Sequence, residues 1–169
     1  EWVRFSGIGW TKDSKGFFYS RYPRPPEGEE LQAAARDQKI YYHRIGAPQS
    51  EDRLIYERKD LPTWYMEGEV TEDGRYLVIS MSRGADRRNR LYTVALRDPR
   101  KPDLSAPVKP LVEEDDAEHR FLGNVGTTFY LCTNLNAPKR RIVSFDLRRP
   151  DRKGWRTVVP EAADTIETP

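Results

Sequence analysis

At 169 residues, with 37% hydrophobic and 11% aromatic content, the sequence carries enough apolar material for one packed domain. Its 29 basic and 27 acidic side chains nearly cancel to a net charge of +2, which argues against a polyanionic partner such as nucleic acid. No apolar run approaches the roughly 18 residues of a membrane span, no signal-peptide layout is present, and a lone Cys132 cannot make an intrachain disulfide. A soluble protein of a reducing, cytoplasmic compartment is expected, with Cys132 a small buried residue on a strand.

In chain order, the first unit opens with a strand from Phe5 to Trp10, turns through Thr11 to Gly16 and continues as Phe17 to Tyr22. The stretch PRPPEGEELQAAARD is too rich in Pro and Glu for a core strand and reads as a long excursion with one helical turn at Glu30 to Arg36. Strands resume at Lys39 to Ile45 and Arg53 to Lys59, divided by the Gly/Pro/Asp turn GAPQSED. The second unit offers Tyr65 to Thr71, Tyr76 to Ser82, Arg90 to Leu96 and Val108 to Val112, with the pair Asp73-Gly74 suited to a turn needing positive φ. The third offers Phe121 to Val125, Thr127 to Thr133, Arg141 to Leu147 and Trp155 to Val159.

Equivalent points recur. Ile40, Leu91 and Ile142 on the third strands are each 51 residues apart, and the turn glycines Gly16, Gly74 and Gly126 recur at slightly larger steps. A four-stranded unit of roughly 50 residues is the length of a β-propeller blade. A sandwich or closed barrel would also accept twelve short strands, but the strands of each unit differ in character in the same order, which favours the propeller. The expected fold is all-β: three consecutive four-stranded antiparallel blades, at residues 1–60, 61–115 and 116–169. Three blades cannot close a ring of the usual four to eight, and the chain begins EWVRFSG without a methionine, so a piece of a longer polypeptide is expected.

Motifs for chemistry are missing. No serine sits in a G-x-S-x-G elbow; Ser6, Ser20, Ser80, Ser82 and Ser144 lie on or beside expected strands. His43 in IYYHRI reads as a packed or hydrogen-bonded strand residue, and His119 in EEDDAEHR as a solvent-facing one near carboxylates. Neither has metal-ligand spacing, and no glycine-rich phosphate loop precedes a helix. No catalytic residue, metal or cofactor is expected. Trp10, Trp64 and Trp155 read as residues that pack blade on blade.

The stretch FSGIGWTKDSKGFFYSRYP, then QKIYYHRIGAPQSED at Gln38 to Asp52, the turn EDGRY at Glu72 to Tyr76 and SRGADRRNRLY at Ser82 to Tyr92 together resemble the β-propeller domain of prolyl oligopeptidases over essentially the whole chain. The resemblance implies a seven-bladed propeller, of which about three blades are present. That propeller covers the active site of a serine peptidase cleaving short peptides after proline, whose triad belongs to an α/β-hydrolase domain of the same polypeptide. It also implies that Phe5, Tyr65 and Ala85 stand where the family's propeller lines the substrate pocket. Family members often have methionine at the position of Tyr65 and a bulkier residue at that of Ala85, which bears on the pocket's size and preference.

In an antiparallel blade, connections alternate between the two faces of the disc. The loops between second and third strands therefore share a face with the links to the next blade. Those loops carry Arg83, Arg87, Arg88, Lys139, Arg140 and Arg141, and Phe5, Tyr65 and Ala85 fall on the same face. The expected role is to gate access of short peptides and to make interdomain contacts, with Arg83, Arg87 and Arg88 foremost. No membrane or nucleic-acid partner is expected. The alternative is a stand-alone interaction scaffold, a common use of propellers.

Overall fold

The computed structural model describes residues 2–29 and 34–167. The first sheet contains β1 (Ile8–Trp10), β2 (Gly16–Arg21), β3 (Lys39–Arg44) and β4 (Arg53–Tyr56), in spatial order β1-β2-β3-β4. The second contains β5 (Trp64–Val70), β6 (Tyr76–Arg83) and β7 (Asn89–Ala95); a two-stranded ribbon, β8 (Arg97–Asp98) with β9 (Lys101–Pro102), then leads to its outer strand β10 (Val108–Val112). The third contains β11 (His119–Val125), β12 (Thr128–Thr133), β13 (Arg141–Asp146) and β14 (Arg156–Val159), again in chain order. All neighbours pair antiparallel. The helical turn expected at 30–36 falls largely outside the described residues, and residues 34–36 have no regular structure.

Alternation of side chains across a strand explains the packing. On β6, Leu77, Ile79 and Met81 join Phe18, Ile40 and Tyr42 of the first sheet, while Val78 joins Phe129, Leu131, Val143 and Phe145 of the third. The second sheet is buried on both faces, so its run YLVISM is nearly continuous in apolar residues. The first and third sheets are each covered on one face only. Trp10, expected to pack between blades, stands about half exposed beside Phe17 on the uncovered face of the first sheet, and Val125, Val158 and Val159 are exposed on the third. The sheets do not close into a ring, as a partial propeller requires. Trp64 and Cys132 are buried as expected.

The inner strands β1 and β5 approach closely at Gly9, where an added Cβ would lie 2.9 Å from the Gly68 carbonyl oxygen and 3.2 Å from the Val70 nitrogen. Both are backbone atoms that cannot swing aside. Gly9→Ala is therefore expected to destabilise the propeller by about 1–3 kcal/mol in urea unfolding, the usual cost of overpacking. An unchanged midpoint would mean that the inner strands part freely.

The hairpin turns of the first two sheets share one chemistry. Thr11 and Thr71 each donate a hydroxyl to the aspartate two residues on, at 2.7 Å in both, and Asp13 and Asp73 each accept the N–H two residues further, at 3.1 Å in both. The left-handed positions are Ser14, φ 57°, and Gly74, φ 69°. Gly16, expected as the counterpart of Gly74, instead opens β2 opposite Arg44.

Candidate functional site

The segment before β1 is held against the first sheet by side chains and loop bonds instead of a β ladder. The Ser20 N–H donates to Ser6 Oγ at 2.8 Å, and the Tyr22 N–H donates to the Trp2 carbonyl at 3.1 Å. The strand expected to begin at Phe5 begins instead at Ile8, so Phe5 lies outside β1. Phe5 has φ 51°, in the left-handed region that an aromatic residue seldom adopts, and it is 70% exposed. It is not a core residue. Its ring meets Tyr65 edge to face, with centroids 5.4 Å apart and planes at 61°.

Tyr65 is the second residue of β5 and pairs with Ser82 across the ladder. Ala85 lies in the turn from β6 to β7, after Gly84 at φ 56°. Phe5, Tyr65 and Ala85 line one open cleft of about 680 Å³, with Ser6, Gly7 and Ser82 between them. The structure thus brings together three residues that are far apart in sequence. Its lining sets the Phe5 and Tyr65 rings beside small residues, Met66 and Glu67, an open surface with an aromatic side that can hold an apolar side chain without enclosing it.

The turn carrying Ala85 is braced by Asp86. Its carboxylate accepts from the Arg88 backbone at 3.0 Å and from the Arg88 guanidinium at 2.6 Å, and Arg83 lies 3.7 Å away. The hydrogen bonds from Arg88 lower the Asp86 carboxyl to about 2, so the brace is ionised at neutral pH. Arg83 and Arg88 therefore meet one internal aspartate, while Arg87 lines a neighbouring cleft with Glu67 and Glu69. Arg140 departs from the expected charged face. Its side chain is only 11% exposed and pairs with Glu118 at 3.0 Å and the Ile166 carbonyl at 2.7 Å. Lys139 likewise donates to the Ala163 carbonyl. Both are occupied by the segment that follows β14.

The histidines separate. His43 is a hydrogen-bonded strand residue, its Nδ1 2.7 Å from Asp52 Oδ1, and the buried Asp52 also accepts the Tyr19 hydroxyl. Burial and the Asp52 hydrogen bond push the Tyr19 phenol up to about 12. His119 is not solvent-facing: it opens β11, its side chain is fully buried, and its ring meets Trp155 edge to face at 5.8 Å. Alternation along β11 sends His119 and Phe121 to the same side, and the acidic residues before it form the link outside the strand.

Residues 1–168 match the family described as the prolyl oligopeptidase N-terminal beta-propeller domain. The chain belongs to this family. Prolyl oligopeptidase A from Amanita bisporigera is 38% identical over 167 residues, which are 95% of this chain and 21% of that protein. A prolyl oligopeptidase B from Galerina marginata, solved with a 35mer hydrolysis and macrocyclization substrate, superposes with a TM-score of 0.84 at 32% identity, covering 96% of this chain and 22% of the other. A prolyl endopeptidase structure from work on inter-domain dynamics in catalysis and specificity gives a TM-score of 0.83 at 30% identity, covering 99% and 23%. This prolyl oligopeptidase propeller segment spans about a fifth of the length of the relatives it matches.

Proposed function

We propose that this propeller segment works with a catalytic α/β-hydrolase domain of the same polypeptide, gating access of short proline-containing peptides to a serine peptidase active site. Its blades are taken as residues 1–60, 61–115 and 116–169. Phe5, Tyr65 and Ala85 form a wall for a substrate side chain, and Arg83, Arg87 and Arg88 surround that wall with interdomain contacts. The segment itself contributes binding and access; the bond-breaking groups belong to the hydrolase domain.

The observation that carries this reading is the placement of Phe5. A large aromatic ring is exposed on a left-handed backbone, braced against Tyr65 and beside Ala85. Backbone strain of this kind is characteristic of ligand clamps. In the complete polypeptide, Phe5→Ala is expected to raise KM for short proline-containing peptides roughly tenfold, about 1.4 kcal/mol, with kcat within twofold. Loss of an interaction made equally in ground and transition states gives that split. An unchanged KM would sink the wall reading.

A further inference from the structure

The 51-residue step that aligns Ile40, Leu91 and Ile142 also aligns the residues two positions earlier: Gln38, Asn89 and Arg140. Gln38 and Asn89 each reach from the start of a third strand to the chain of the following blade, whereas Arg140 stays within its own unit. Asn89, 7% exposed, donates Nδ2 to the His119 carbonyl at 2.8 Å and accepts the His119 N–H at 2.7 Å, joining β7 to the first residue of β11. Arg140 reaches Glu118 and the Ile166 carbonyl. Gln38, 2% exposed, accepts the Met66 N–H through Oε1 at 2.6 Å, joining its blade to β5.

Gln38 does one thing more. Its Nε2 donates to the carbonyls of Arg4 at 3.0 Å and Phe5 at 3.3 Å. Phe5 lies outside the β ladder, whose first strand starts at Ile8, and Met66 directly follows Tyr65. One buried amide therefore holds the backbone of Phe5 at one end and the residue beside Tyr65 at the other. A left-handed aromatic residue persists only where its surroundings over-determine it, and this amide is a fixed bridge of the required kind.

We infer that Gln38 is the positioning residue of the aromatic wall: it sets the separation of the Phe5 and Tyr65 rings and holds Phe5 in its left-handed conformation. Its importance for substrate rests on the reading of that wall given above; its hold on Phe5 does not. Glutamine suits the task because it offers an acceptor to the Met66 N–H and donors to two carbonyls at once. Glutamate would keep the acceptor, lose the donors and set a carboxylate oxygen against the Phe5 carbonyl.

The test compares Gln38→Glu, the uncharged and shape-matched Gln38→Met, and Asn89→Asp in the complete polypeptide. Asn89→Asp disturbs the equivalent bridge at the next blade, whose amide meets Ser80 and His119 but neither the Phe5 backbone nor Met66. A 4-fluorophenylalanine at position 5 reports the ring's position by 19F NMR, and steady-state kinetics on a short proline-containing peptide report binding. Both Gln38 variants are expected to move the fluorine resonance towards that of the free amino acid and to raise KM about fivefold with kcat within twofold. On a Phe5→Ala background they should raise KM no further, because the two residues act as a unit. Asn89→Asp should lower the melting temperature and leave both signals in place. If the Gln38 variants lower the melting temperature as Asn89→Asp does while the resonance stays, Gln38 is a blade bridge only and the inference fails. If the resonance moves but neither these variants nor Phe5→Ala changes KM, the positioning role stands and the substrate-wall reading is what falls.

Discussion

Phe129→Ala is expected to lower the unfolding free energy by about 3–5 kcal/mol, the range for truncating a buried phenylalanine. Phe129 is fully buried on β12, with the rings of Tyr76 and Phe121 each 5.2 Å away and Phe145 at 6.2 Å. Tyr76 belongs to the second sheet and the other two rings to the third, so this side chain lies at the junction of two blades. Truncation removes the transfer term and leaves a cavity between two sheets whose backbones are fixed by their own ladders, which limits collapse. The urea midpoint should fall with little change in slope. Amide protection should be lost in β11 to β14 before β5 to β7, because the second sheet keeps its packing against the first. A loss under 1 kcal/mol would show that the sheets close over the cavity, and uniform loss of protection would show that the blades do not unfold separately.

The fold was legible where side-chain alternation and turn chemistry act together. Val108 to Val112 is observed as expected, and the other long strands differ from expectation by only a few residues at their ends. The step through Ile40, Leu91 and Ile142 holds because these residues occupy corresponding places on β3, β7 and β13. The glycine step fails at Gly16, since the left-handed turn position of the first hairpin is filled by Ser14, helped by the Asp13 side chain. Asp and Asn side chains let nearby non-glycine residues complete such turns, so glycine alone was a poor marker. The ribbon of β8 and β9 has two residues per strand, too few to show any period.

At the site, sequence reasoning placed Phe5, Tyr65 and Ala85 on one face, and they share a cleft. It missed how Phe5 is held. An extended run from Phe5 to Trp10 is compatible with the pattern of residue types, yet the ladder begins only at Ile8, and Ser6 replaces a ladder bond with its hydroxyl. Gln38 was visible only as part of a family-like block. Extending the 51-residue step by two positions would have singled it out with Asn89. Arg140 went wrong for another reason: a charged residue in a loop reads as solvated, and only the link before β11 and the path of the chain after β14 bring Glu118 and the Ile166 carbonyl around it.

His119 is expected to make the propeller's stability fall by about 3 kcal/mol as the pH drops from 6.5 to 4. Burial is the first cause that holds its pKa down, from the ordinary 6.5 to about 4, with the Arg152 guanidinium second; Asp116 and Glu114 pull the other way without prevailing. Among the described residues neither ring nitrogen meets a hydrogen-bond partner, and the nearest carboxylate oxygen, on Asp116, is 3.9 Å away, too far to bond. Above pH 6.5 the histidine is neutral folded and unfolded, and its contribution is fully present. As the pH falls through 6.5 the unfolded chain binds a proton that the folded chain refuses, so unfolding gains. Near pH 4 the folded state takes the proton too, and the loss levels off. Asp116 acts in a lower window: Arg152 holds its carboxyl below the ordinary 3.8, so its contribution is lost only as the pH falls past that value. His119→Phe keeps an aromatic ring against Trp155 and removes the proton site. The variant's unfolding free energy should be flat between pH 6.5 and 4 relative to the parent while keeping the steeper loss below, and subtracting the two profiles removes every other titrating group. At pH 7 the variant should be about as stable as the parent, since replacing an unpartnered buried imidazole with an apolar ring of similar shape gives up no hydrogen bond. A parallel pair of profiles would place the acid sensitivity elsewhere in the propeller.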